Sequence, residues 1–186
     1  MFLVGVSLAL ASRNGILWAK AAKRVLVIVV CAALISIGTY LAFPSAFIFY
    51  GILHAIAVAS VVGLLVVDRP PLLVLGLGLV IWLAPSLVSD ATFDTRWLAW
   101  IGFSQTPPPS NDLVPVFPWL GITLAGIALT RISLSKGLSR RLAGMQLRGR
   151  TGRLLSFCGR QSLVIYMLHQ PLLLGLIIPL SNWLDR

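Results

Sequence analysis

Residues Gly159–Leu180 read GRQSLVIYMLHQPLLLGLIIPL, a run that is apolar almost throughout. About 20 residues rising ~1.5 Å each cover the ~30 Å of a bilayer's hydrocarbon, so the run is long enough to cross a membrane. Ser162, Tyr166 and His169 interrupt it at i, i+4 and i+7 and therefore share one side of a helix, with Gln170 beside them. Pro171 removes the N–H that the Met167 carbonyl would use, which predicts a kink. A polar stripe in hydrocarbon is costly, so it should face other helices or a wet cavity.

The rest of the chain reads as the wall around that stripe. Of 186 residues, 58% are hydrophobic and 11% charged, and the mean hydropathy is +0.95. Several apolar runs of spanning length predict an all-α, polytopic integral membrane helix bundle, a single domain over 1–186. Six segments are expected: Met1–Ala11, Val25–Phe43, Ala46–Val67, Leu72–Val88, Val114–Thr130 and the run above. The first is too short to span alone and looks like the second half of a helix. Gly51, Ala55, Ala59 and Gly63, and likewise Gly121 and Ala125, form small-residue ridges that let helices approach closely.

A net charge of +10 raises the question of nucleic acid. The basic residues instead cluster between apolar runs, as topology signals do, so nucleic-acid binding is not expected. Thirteen of the fifteen follow the first, third and fifth segments, whereas the other side keeps Arg96, Arg186 and four of the five aspartates. The positive-inside bias then places Ser89–Leu113 and the C-terminus outside and Arg131–Arg160 inside in a multi-pass arrangement, the outside being the periplasm if the source is a Gram-negative bacterium. Leu134, Leu138, Leu142 and Met145 fall at helical spacing among basic residues, which suits a helix lying on anionic inner-leaflet lipids. The same arginines can hold the phosphates of a nucleotide-bearing donor.

Chemistry has few carriers. The chain has no Glu, five Asp and two His, and Cys31 and Cys158 have no metal-ligand spacing, so no metal is expected. His54 and His169 both fall inside apolar runs, where an ionisable group is a functional candidate. A neutral histidine there can move a proton near pH 7, or can simply hydrogen-bond across helices. Asn111-Asp112 follows the Pro107-Pro108-Pro109 run at the mouth of the fifth segment and offers an amide and a carboxylate. Asp112 can meet a substrate or cap a helix start. Trp119 can stack on a sugar ring, or form an interfacial aromatic belt with Trp97 and Trp100.

Three pieces carry a resemblance: FIFYGILHAIAVAS (Phe47–Ser60), PPPSNDLVPVFPWLGITLAGIAL (Pro107–Leu129) and GRQSLVIYMLHQP (Gly159–Pro171). In this order and spacing they resemble the heparan-α-glucosaminide N-acetyltransferase catalytic-domain family, in its bacterial membrane form. The resemblance implies a membrane acyltransferase that moves an acetyl group from cytosolic acetyl-CoA to an amino sugar or related glycan acceptor across the bilayer. His54 and His169 match its Leu-His and His-Gln-Pro motifs. With Asp112 they are the catalytic candidates, and Asn111, Trp119, Tyr166, Ser162, Gln170 and Arg160 the substrate-binding ones. The family's early Asp-Arg-Gly-type start and catalytic histidine have no counterpart in this sequence. The expectation is therefore a C-terminal portion that does not transfer acetyl groups by itself. The alternative is a non-catalytic membrane module, acting structurally or with another subunit. A homo-oligomer is open to either. A transporter is disfavoured, since intramembrane charges and paired broken helices are nearly absent.

Overall fold

The computed structural model describes residues 1–137, 152–154, 157, 159, 161 and 163–168. The chain divides into two compact units, Met1–Leu138 and Ser139–Arg186. The described part is all-helical: α1 (Phe2–Ala11), α2 (Trp18–Ala42), α3 (Ile52–Val66), α4 (Pro71–Leu87), a short 3-10 turn (Ala91–Asp94) and α5 (Val116–Ser135). In the second unit, residues 152–154 and 163–168 are helical.

The first unit is organised on α5, which packs against α1, α3 and α4. Its inward side chains Leu120, Leu124, Ile127 and Ala128 meet Leu8, Ala59, Leu64 and Val74 in one apolar core. Glycines set the spacing. A Cβ on Gly121 would collide with the Gly78 carbonyl of α4, and one on Gly126 with the Phe2 carbonyl of α1. Gly63 of α3 is overlain by the Leu8 and Ile127 side chains, so the ridge that begins at Ala55 faces α1 and α5. Backbones approach this closely only where side chains are absent, which is how helices gain contact without a hydrophobic drive between them.

Among the described residues, two helices, Trp18–Ala42 and Val116–Ser135, are long and apolar enough to cross a membrane. They differ in what surrounds them. α5 is central, whereas α2 packs mainly on α3 and leaves Leu26, Val30, Leu34, Ile37 and Leu41 exposed. An exposed row of large apolar groups on one helix is the informative kind of exposure.

Two boundaries depart from the hydropathy pattern. α2 begins at Trp18, so Lys20, Lys23 and Arg24 form its first turns instead of the preceding loop. The segment WAKAAKR is rich in strong helix formers, and its charges can stand on the helix without ending it. α3 begins only at Ile52, although the apolar run opens at Ala46. Residues 46–50 instead run alongside 110–114: Asn111 N–H donates to the Ala46 carbonyl (2.9 Å), Val114 N–H donates to that of Tyr50 (3.2 Å), and Tyr50 forms a parallel bridge with Leu113. The expected inner-face helix and the sixth segment fall largely outside the described residues.

Candidate functional site

The polar groups of the first unit converge where α3 starts. Its N-cap, Gly51, has no side chain to cap the helix. Asp112 does so from 60 residues away, its Oδ2 accepting the Ile52 N–H at 2.9 Å. A carboxylate there also complements the positive end of the helix dipole. A Cβ on Gly51 would stand 2.5 Å from Asp112 Oδ2 and 2.7 Å from Ile48 Cγ2, so the cap requires glycine. Asp112 thus meets the start of α3, not of α5.

His54, at the third position of α3, receives the Gly51 N–H on Nδ1 (3.3 Å). A nitrogen that accepts carries no proton, so the imidazole is neutral with its hydrogen on Nε2. Nε2 lies 3.4 Å from Ser36 Oγ. The Ser36 hydroxyl donates onward to the Ile48 carbonyl (2.6 Å), leaving its oxygen to accept from His54. The chain runs Gly51 N–H to His54 to Ser36 to Ile48, and ties α2 to the start of α3. Thr39 adds a second tie, with its Oγ1 accepting the Ile48 N–H at 3.0 Å. The one lone pair His54 has for a proton is therefore engaged by backbone.

Tyr50 lies between His54 and Trp100, with ring centroids 5.5 Å from each. Tyr50 is 9% exposed, and its buried hydroxyl finds no hydrogen-bond partner among the described residues. Such a group loses its hydration without compensation. Asn111 is exposed beside this cluster in sequence. Trp119 is 40% exposed on the first turn of α5.

The surrounding loop is held by its own carboxylates. Asp94 accepts from Ser104 Oγ (2.6 Å), Gln105 N (2.7 Å), Thr106 N (3.0 Å) and Thr106 Oγ1 (2.7 Å). These bonds, that from the Ser104 hydroxyl first, hold its carboxyl down to about 2. Asp90 is lowered likewise by the Thr92 hydroxyl and N–H. Arg96 donates to the Ser45 carbonyl (2.6 Å) with its guanidinium 5.2 Å from the centre of the Phe47 ring. Val116 and Phe117 N–H groups donate to the Trp100 and Ile101 carbonyls, both at 2.8 Å, which fixes Trp100 over the cluster.

The structure therefore brings His54 and Asp112 together with Tyr50, Trp100 and Ser36. Tyr166 is half-buried in the helical stretch 163–168. His169, Ser162, Gln170 and Arg160 lie outside the described residues. Sequence reasoning did not pick out Ser36, Thr39 or Trp100 as site residues. Ser36 and Thr39 carried a faint signal, being hydroxyls three residues apart within an apolar run. No group of three His, Cys, Asp or Glu side chains with metal-binding proximity occurs among the described residues.

At the opposite end of α3, Arg131 of α5 donates to the Val67 and Arg69 carbonyls and supplies the positive charge a helix C-terminus favours.

Comparison with known proteins agrees with this picture of a helical, apolar chain. The family described as heparan-alpha-glucosaminide N-acetyltransferase, catalytic, matches residues 1–171. Neither the curated proteins nor the solved structures contain a match.

Proposed function

The chain belongs to the heparan-α-glucosaminide N-acetyltransferase catalytic family, and from that membership we propose that it takes part in acetyl transfer from acetyl-CoA to an amino sugar or related glycan acceptor across a membrane. In this reading the protein is multi-pass in a bacterial inner membrane. The Asp112–His54–Tyr50–Trp100 end opens outside, and the basic end faces the cytoplasm. The charge distribution supports that orientation, because basic residues are retained on the cytoplasmic side.

The reaction forms an amide bond and breaks a thioester. The acceptor amine attacks the acetyl carbonyl, the amine loses a proton, and coenzyme A leaves as its thiol. The catalytic requirements are a proton acceptor and a water-poor site. At the outer end, Tyr50 offers a hydroxyl to an acceptor oxygen and Trp100 an aromatic face to a sugar ring, with Asn111 and Trp119 as further contacts. Asp112 holds the start of α3. His169, Tyr166, Ser162, Gln170 and Arg160 stay candidates through the family's motifs alone, His169 for proton transfer and the others for substrate or donor binding. The family match carries the proposal, and the unpartnered Tyr50 hydroxyl supports the placement of the acceptor.

A second reading is favoured by one observation. His54 has its Nδ1 lone pair engaged by Gly51 N–H, so it serves here as a helix-end tie. A non-catalytic module, or one that needs another subunit for its base, accommodates that geometry.

Tyr50→Phe separates the two. It removes one buried hydroxyl that bonds nothing and keeps the ring. With radiolabelled acetyl-CoA and glucosamine, the acceptor reading predicts a rise in acceptor KM of about tenfold, the cost of leaving one ligand hydrogen bond unmade. Thermal stability should be unchanged or higher. Transfer unaffected by Y50F rejects the acceptor placement.

A further inference from the structure

At the end of the first unit away from the Asp112 cluster, a cavity of about 170 Å³ opens between α1, the start of α2 and α3. Lys20 and Arg24, one turn apart on α2, line it together with Leu8, Leu17, Leu64 and Ser60. Three features make it a site for an anion with an apolar tail. First, the N–H groups of the first turn of α2 have no intrahelical acceptor, and no N-cap side chain takes one. Second, Lys20 and Arg24 add two positive charges, and among the described residues that line the cavity none is acidic. Arg24 spends one N–H on Ser7 Oγ at 3.3 Å and retains its others. Third, Ser60 is 2% exposed and its buried hydroxyl has no hydrogen-bond partner among the described residues. The remaining wall is mostly aliphatic.

We propose that this cavity binds the phosphate head of an anionic membrane phospholipid, with Lys20, Arg24 and the α2 N-terminus on the phosphate and the aliphatic wall along the first methylenes of the tail. Two neighbouring cations with free backbone donors suit a phosphate, and their place at the start of an apolar helix is the depth of a lipid head group. The aliphatic wall distinguishes this ligand from a free anion, which would leave that surface wet. The site rests on the membrane reading and is independent of acetyl transfer.

The test is native mass spectrometry of the purified full chain in detergent, titrated with phosphatidylglycerol or phosphatidylcholine of matched acyl chains. Phosphatidylglycerol should be retained over phosphatidylcholine. Lys20→Gln and Arg24→Gln should each lower its retention about fivefold, the effect of one basic residue at a charged leaflet. Lys23→Gln removes a charge from the same helical turn but does not line the cavity, and should leave retention within about twofold. Ser60→Ala tests the buried wall without disturbing a bond in the protein. It should lower retention about twofold with no loss of thermal stability. Equal retention of the two lipids, or an equal effect of K23Q, would reduce the site to diffuse surface charge and overturn the proposal. Displacement of the lipid by free coenzyme A, with the same dependence on Lys20 and Arg24, would assign the cavity to the nucleotide donor instead. Loss of acetyl transfer without loss of lipid adducts would touch only the functional reading above.

Discussion

The two ends of α3 are finished by opposite charges from distant parts of the chain, Asp112 at Ile52 and Arg131 at Val67 and Arg69. Both obey the helix dipole, yet their surroundings differ. Around Asp112 most of the charged and polar groups are engaged: Asp94 takes four donors, Arg96 a carbonyl and a ring, and His54 a backbone N–H. Around Arg131 and the start of α2, cations border cavities. A closed lattice holds a binding surface in shape, whereas cations beside open space attract a charged ligand. The difference teaches that one end is built for geometry and the other for electrostatics.

The largest expected effect tests which side of a membrane each end occupies. With Cys31 and Cys158 replaced, Thr106→Cys should label fully with an impermeant thiol reagent in intact cells or spheroplasts, and Ser139→Cys should not. Labelling at Ser139 and not at Thr106 would invert the orientation and with it the functional reading.

Next is the Asp112 cap. Asp112→Ala leaves the Ile52 N–H unsatisfied, and should cost about 1–3 kcal/mol of stability in a thermal melt. Gly51→Ala should do comparable damage by pushing against Asp112 Oδ2 and Ile48 Cγ2. A neutral outcome for both would mean that the lattice around Asp112 does not depend on this cap.

Arg131→Gln removes a helix-end charge and weakens its bonds to two carbonyls, with an expected loss of about 1 kcal/mol. A cost equal to that of Asp112→Ala would erase the contrast between the ends.

The smallest effect comes from Asp94. Its carboxyl sits at about 2, below the ordinary carboxylate value, so its contribution to loop order is fully present above about pH 4 and is lost as pH falls through about 2. Tryptophan fluorescence of the 89–115 loop, which carries Trp97 and Trp100, should change in that window. Asp94→Asn should flatten the change. A transition centred near pH 6 in the native chain would point to another group.

Much of the helical arrangement was legible in the sequence. The apolar runs lie where α1, α4 and α5 form within a few residues, because a continuous apolar stretch bounded by prolines and charges has few other outcomes. The Pro70-Pro71 start of α4 is one such boundary. The small-residue ridges read correctly only in part: Gly63 and Gly121 lie at close helix contacts, whereas Gly51 precedes α3 as its N-cap and faces Asp112 and Ile48 instead of a neighbouring helix. The site was less legible. His54 and Asp112 stood out as rare polar residues, but their meeting depends on a loop folding back over 58 positions. Ser36, an ordinary hydroxyl in an apolar run, became the partner of His54 only through the packing of α2 on α3.

By itself, then, the sequence determined an apolar, helical, basic-sided chain, because hydropathy, charge and helix breakers act locally. The tertiary structure alone decided that residues 46–50 stay outside α3, although their composition favours a longer helix. They pair with 110–114, and Asp112 caps the shortened helix at Ile52. The physical reason is that backbone hydrogen bonds and a charge at a helix end can outweigh local propensity once distant segments meet.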